Sequence, residues 1–178
     1  LTGPTNDVWI DPWLKHLSGR LGATLTSSAT VRSLNVSGNK LRSVTIERNG
    51  RLDETSADVY VAALPVEVMQ GLLTPELERA APSLSGIRGL RTEWMNGIQF
   101  YLKTDRPLTD GHAIYLDSSW ALTSISQRQF WRNVDLSRFG DGRVGGILSV
   151  DISNWTAPGN FSGKSAMEAT SREEIKDE

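Results

Sequence analysis

Residues 24–65 constrain the fold most, because they combine three β-patterned segments with one continuous apolar run. The three segments read TVRSLNV, LRSVTIER and, more weakly, RLDET. Ser37-Gly38-Asn39 and Asn49-Gly50 separate them, and these residues supply the positive φ angles that tight hairpins need. The stretch therefore predicts an antiparallel meander that turns at Gly38-Asn39 and at Asn49-Gly50.

The apolar run at residues 58–64, which Pro65 stops, predicts a different kind of strand. A near-continuous apolar run is typical of a strand buried on both faces, as in a parallel sheet. Such a strand needs neighbours in a sheet, and the rest of the chain offers few. We therefore expect an internal segment of a longer polypeptide. The capping box of Ser171 and Glu174, which begins a helix shortly before the chain stops, agrees with this expectation.

Other helices are predicted from caps and prolines. Asp11-Pro12 predicts the start of an amphipathic helix over residues 11–21, followed by a short strand at 23–26. Thr74-Pro75 repeats the same signal between two short helical segments within residues 66–89.

From Leu90 onward the pattern changes to strands rich in aromatic and β-branched residues. Four segments carry it: LRTEWMNGIQFYLKTD, GHAIYLD, ALTSIS and RVGGILSVDIS. In the first, alternation places Trp94, Asn96, Ile98, Phe100 and Leu102 on one face and Met95, Gln99 and Tyr101 on the other. The segment between the third and fourth strands predicts a short helix and a loop.

Composition excludes several classes of function. The net charge of −2 provides no basic field for nucleic acid. No apolar run reaches the ~18–20 residues of a membrane span, so we expect a cytoplasmic protein whose membrane contact, if any, is peripheral. The chain has no cysteine and two distant histidines, His16 and His112, so we expect no metal site.

No catalytic residue is assigned, because no histidine has a positioned acid partner and the paired carboxylates lie in turn or helix-start contexts. The glycine-rich segment at residues 140–146 precedes a predicted strand. A loop that cradles phosphate instead follows a strand and opens a helix. We therefore interpret these glycines as a loop leading into a strand, and we expect that the chain cannot hold a nucleotide unaided.

Six tryptophans in 178 residues suggest either a large apolar cavity or ordinary core packing, and the sequence leaves both open. The candidate lining residues combine aromatic rings with a few orienting polar groups. They are Trp94, Asn96, Gln99, Tyr101, Trp120 and Gln127.

Two longer stretches carry a family resemblance. The order of the first helix, LGATLTSSATVRSLNV, the hairpin and ADVYVAALPVEVMQGLL resembles the middle of flavin-containing amine oxidoreductases. That superfamily includes amine oxidases, phytoene and carotenoid desaturases and squalene-pathway FAD oxidoreductases. TEWMNGIQFYL and SSWALTSISQRQFW are more similar to the desaturase-like branch.

The resemblance implies FAD as the cofactor of a longer parent protein. In this family the FAD-binding domain is split, and the chain resembles neither of its Gly-rich segments. By resemblance, the backbone of Val31 meets the adenine, and Ala62, Ala63, Leu64 and Pro65 form a strand end beside the dinucleotide. Small residues there permit close backbone approach. We expect the isolated chain not to retain FAD.

The expected fold class is α+β within an α/β parent. Residues 1–65 are predicted to be the centre of the split FAD-binding domain, and residues 66–178 a substrate domain with a mixed sheet and short helices. The implied function is part of an FAD-dependent oxidoreductase that acts on a small apolar, isoprenoid-like or amine substrate. Its partners would be the remaining segments of the parent chain. The alternative is a non-catalytic β-rich domain that binds a ligand or a partner.

Overall fold

The computed structural model describes all 178 residues and divides the chain into two units. Residues 24–92 form one unit, called the meander unit here. Residues 1–23 and 93–178 form the other, called the sheet unit.

The chain begins with a continuous helical segment. A π-helical turn at Asn6–Ile10 leads directly into α1 (Asp11–Arg20). The predicted helix is confirmed, but Asp11 does not cap it, because the π-helical turn already precedes Asp11 and places it inside the helical run. The strand predicted at residues 23–26 is wrong, since these residues lie exposed without a strand partner. None of the helices combines the length and apolar character of a membrane span.

Three antiparallel strands form the predicted meander, in the order β1 (Thr30–Ser37), β2 (Lys40–Arg48) and β3 (Arg51–Thr55). Asn49 and Gly50 have φ angles of 50° and 76°, the two positive values that a type I′ hairpin requires. Gly38 has a φ of 61° at the other turn. Both predicted turns are confirmed.

One face of the meander is polar. The Asn35 side-chain amide donates to Ser43 Oγ at 3.0 Å and to Thr45 Oγ1 at 3.1 Å. The Ser43 hydroxyl, 3% exposed, donates in turn to the Glu54 carboxylate. Because these polar groups satisfy one another and Glu54 is exposed to solvent, this face needs no apolar cover.

The prediction that residues 58–64 form a strand buried on both faces is wrong. They form no strand, and Val59 and Val61 are 77% and 86% exposed. Tyr60 anchors the run, because its hydroxyl donates to the carbonyl oxygen of Arg42 at 2.6 Å. A two-faced strand requires hydrogen-bonded neighbours in the sheet, and this run pairs with neither edge strand of the meander, β1 or β3. The apolar run therefore stays extended and unpaired.

Short helices complete the meander unit. They are α2 (Val66–Leu72), α3 (Pro75–Ala80) and a 3₁₀-helix at Pro82–Gly89. The Thr74 hydroxyl accepts a hydrogen bond from the Leu77 amide at 3.2 Å, which confirms the predicted cap.

The sheet unit contains four antiparallel strands in the order β4-β7-β6-β5. Their bounds are β4 (Asn96–Leu102), β5 (His112–Ile114), β6 (Leu122–Ser126) and β7 (Gly146–Ile152). The expected α+β class is confirmed, although the predicted mixed sheet is antiparallel throughout. The first predicted strand is also shorter than its pattern, because only residues 96–102 find a partner in β7.

Each face of this sheet packs against its own apolar cluster. On one face Trp120, Ile152 and Ala166 are buried, with Ile98 and Leu122 packed against them. The C-terminal helix α4 (Arg172–Asp177) adds Ile175 to the same cluster. On the other face Ile147 of β7 packs in a cluster with Trp131, Leu136 and Val144.

The glycines at residues 140–146 allow backbone conformations and close contacts that other residues would not permit. Gly140 and Gly142 adopt φ angles of 58° and 83° in turns. A Cβ on Gly146 would lie 2.7 Å from the Asp105 Cα, so only glycine allows the chain to pass there. The segment leads into β7 and opens no helix, as the sequence predicts.

Candidate functional site

An apolar groove of about 420 Å³ lies within the meander unit. The inner face of the meander, the unpaired run and the short helices supply its walls. We call it the meander groove, and its lining residues are Val31, Leu34, Leu41, Val44, Val59, Tyr60, Val61, Ala62, Leu64, Met69, Leu77 and Leu84.

The meander groove brings together predicted cofactor-binding residues that are distant in sequence. Val31 on β1 lines the same groove as Ala62 and Leu64, which follow about thirty residues later. Ala63 and Pro65 are exposed neighbours of this wall. Because residues 58–64 form no strand, their backbone groups and small side chains remain accessible at the groove.

Three adjoining cavities lie along the sheet unit, beside the cluster of Trp120 and Ile152. The largest, about 570 Å³, is bordered by β4 and α4, and it shares Ile98, Phe100, Ile175 and Lys176 with a second cavity of about 170 Å³. The second shares Tyr115, Leu122 and Glu178 with a third of about 450 Å³. We call this continuous set the sheet groove.

The predicted substrate-lining residues separate in the structure. Asn96, Gln99 and Tyr101 border the largest cavity, which takes side chains from both faces of β4 because this strand lies at the edge of the sheet. Trp120, 2% exposed, borders the second cavity from the core.

The other two candidates lie elsewhere. Trp94 is 74% exposed and precedes β4, outside the sheet groove. Gln127 donates from its amide to Ser149 Oγ at 2.9 Å. Ser149 alternates with Leu148 and Val150, so this hydrogen bond lies on the sheet face opposite Ile152, and Gln127 borders none of the three cavities.

Several residues that border the sheet groove carry little local sequence signal. The pattern predicts only a shared strand face for Ile98 and Phe100, and it predicts no site role for Ile152, Leu122 or Ile175. The alternation of β4 contained a partial signal, because Ile98 and Phe100 share the face of Asn96. The pairing of β4 with β7 and the position of α4 depend on long-range contacts that a local pattern does not contain.

Two carboxylates hold α4 in place. Glu174 binds Lys164 and accepts a hydrogen bond from the Thr170 amide at 2.7 Å, and these contacts lower its pKa to about 2. Burial raises the pKa of Glu178, but hydrogen bonds from Ser162 and from the amides of Phe161 and Asn160 outweigh burial and set the pKa below its usual value. Both side chains therefore favour the ionised state.

The attachment of α4 should depend on acid pH. The ordinary pKa of Glu174 is 4.5 and its folded value is about 2, so its contribution is fully present above about pH 4.5 and is lost as the pH falls toward 2. We expect faster amide hydrogen exchange in α4 across that window, after correction for the intrinsic rate. The Glu174→Gln variant should show a flatter pH profile, and unchanged protection of wild-type α4 down to about pH 2 would contradict the assignment.

Comparison with known proteins identifies the family. A family model described as flavin containing amine oxidoreductase matches residues 10–177, almost the whole chain. The chain belongs to this family. A search of curated proteins found no match.

Membership in the flavin-containing amine oxidoreductases confirms the resemblance seen in the sequence and associates the chain with a flavin cofactor. The structure brings no group of three or more histidine, aspartate or glutamate side chains into position to bind a metal ion.

Proposed function

We propose that the chain is the middle part of an FAD-dependent oxidoreductase, desaturase-like or amine-oxidase-like, that acts on an apolar, isoprenoid-like or amine substrate. The observation that carries the proposal is the family match over residues 10–177. It favours an oxidoreductase over a non-catalytic β-rich binding domain. In the longer protein, residues 1–65 would belong to the FAD-binding domain and residues 66–178 to the substrate domain.

On the cofactor side, the proposed residues are Val31 and residues 62–65. Their fit to FAD rests on an accessible stretch of backbone with small side chains beside an apolar wall. Small residues permit the close approach of a flat ring and a sugar-phosphate chain. FAD, when bound, accepts the hydride, while the protein residues orient the substrate and exclude water.

The phosphates of FAD need a different part of the protein. The chain has no strand–Gly-rich loop–helix unit whose amides and dipole could point at a pyrophosphate. We infer that other segments of the parent polypeptide supply this cradle. We also infer that residues 58–64, unpaired here, pair as a strand with strands of those segments. Pairing would also bury Val59 and Val61, which are largely exposed here.

On the substrate side, the sheet groove is the proposed cavity. Its walls are mainly apolar, and Asn96, Gln99 and Tyr101 provide a few polar groups at the edge strand. Such a composition suits a substrate that is bound chiefly by burial of its apolar surface and oriented by a small number of hydrogen bonds.

The proposal predicts opposite flavin contents for two forms of the protein. The parent polypeptide should purify with FAD near one equivalent, whereas the chain of residues 1–178 alone should be colourless, because it lacks a phosphate cradle. Absorbance of the purified proteins, with flavin released by denaturation and identified by chromatography, measures both. A folded parent without flavin would overturn the function, and stoichiometric flavin on the isolated chain would overturn the missing-cradle argument.

A further inference from the structure

Two cationic side chains stand at the largest cavity of the sheet groove. Arg172 and Lys176 both border it, and their spacing of four residues puts them on neighbouring turns of one face of α4. The rest of its lining carries no charged side chain. It consists of Asn96, Gly97, Ile98, Gln99, Phe100, Tyr101 and Ile175.

Neither cation forms a strong ion pair with a carboxylate of the protein. Arg172 forms no ion pair in the structure, and Lys176 Nζ lies 4.0 Å from Asp177 Oδ1, with side chains 69% and 78% exposed. A pair so long and so exposed contributes little.

The remaining carboxylates near α4 do not border the largest cavity, although Glu178 borders the other two. Glu174 binds Lys164 and the backbone at Thr170, and Glu178 accepts hydrogen bonds from the backbone of the loop at residues 160–162. Glu173 borders none of the three cavities. The lining of the largest cavity therefore carries two positive charges and no negative one, and the Asp151 carboxylate lies close behind Gly97.

The apolar part of the groove is extended. From the cationic end it runs past Ile98 and Phe100 on β4 to Ile152 on β7 and Leu122 on β6. Two strand spacings separate β4 from β6 in the sheet order, which corresponds to about 10 Å. The third cavity continues it toward Leu116 and Phe161, which are 91% and 83% exposed.

We propose that the sheet groove binds an amphiphile with an extended apolar chain and a terminal anionic group, either carboxylate or phosphate. Arg172 and Lys176 bind the anionic group, and Ile98, Phe100 and Ile152 contact the chain. The binding itself follows from the groove, whereas identification of this amphiphile as the oxidised substrate rests on the proposed function.

The test compares head groups on one chain length. The purified chain of residues 1–178 is titrated by calorimetry with dodecanoate, dodecyl phosphate and dodecanol, each below the concentration at which it aggregates. At least one anion should bind about tenfold more tightly than the alcohol, because a charged hydrogen bond contributes ~1.5 kcal/mol or more. The stronger anion distinguishes carboxylate from phosphate.

Variants locate the anionic subsite. The double variant Arg172→Gln/Lys176→Gln should lose the preference for the anion and keep the affinity for dodecanol. The control variant Lys15→Gln removes an exposed cation of α1, outside the sheet groove, and should keep the preference. Equal binding of acid and alcohol, a preference that survives the double variant, or no binding of any probe would overturn the proposal.

Two further outcomes separate this proposal from its alternatives. If the chain binds phosphatidylglycerol vesicles but none of the monomeric probes, the cations contact a membrane surface and the proposal fails. Flavin plays no part in the titration, so a parent protein without FAD would overturn the proposed function and leave this result standing. If the parent contains flavin but the sheet groove binds no anionic amphiphile, the amphiphile proposal fails and the proposed function stands.

Discussion

Replacing Trp120 by alanine is expected to destabilise the sheet unit by about 3–5 kcal/mol, the typical cost of removing a fully buried large aromatic side chain. Trp120 is 2% exposed, packs in a cluster with Ile152 and Ala166, and donates its indole N–H to the Lys164 carbonyl oxygen at 3.2 Å. The substitution would remove this packing and leave the carbonyl without its partner. Urea unfolding followed by far-UV circular dichroism measures the change in the free energy of unfolding.

Trp94→Ala is the matched control for this prediction. Trp94 is 74% exposed, so its removal should change the free energy of unfolding by no more than about 0.5 kcal/mol. Similar effects of the two substitutions would show that Trp120 does not occupy the core of the sheet unit. Because the chain has two units, the fit must allow two transitions.

Replacing Ala63 by tryptophan in the parent protein is expected to reduce its flavin content severely. If residues 62–65 lie beside FAD, an indole ring at position 63 fills space that the cofactor needs. Overpacking of this kind costs ~1–3 kcal/mol, which weakens binding by about fivefold to a hundredfold. The measurement is the ratio of flavin to protein after purification and dialysis, beside the wild-type protein.

The control for Ala63→Trp places the same ring on an alanine outside the meander unit. Ala23 is exposed and follows α1, so Ala23→Trp should retain flavin. Circular dichroism must show that both variants are folded. A folded Ala63→Trp protein with undiminished flavin would mean that this segment does not face the cofactor, and the assignments of Val31 and residues 62–65 would then be withdrawn.

The proposed cofactor and substrate sites differ in how far the sequence anticipated them. Resemblance placed Val31, Ala62 and Leu64 together, and the structure puts all three at one groove. Their contact with FAD stays a prediction. In the substrate candidates, the alternation of β4 correctly grouped residues by face, but the tryptophan count did not distinguish the buried Trp120 from the exposed Trp94.

The sequence by itself determined the features that depend on adjacent residues. Asn49-Gly50 specified a tight turn, Thr74 specified a helix start, and Ser171 with Glu174 specified the capping box of α4, because each involves hydrogen bonds or φ angles within a few positions. Only the tertiary structure decided the outcome for residues 58–64. An apolar run becomes a buried strand when other strands satisfy its backbone, and here the run pairs with neither edge strand of the meander and stays exposed. Packing likewise decided the positions of Arg172 and Lys176 beside β4. Ile175, which lies between them in the sequence, packs against the cluster around Trp120 and so fixes the orientation of α4.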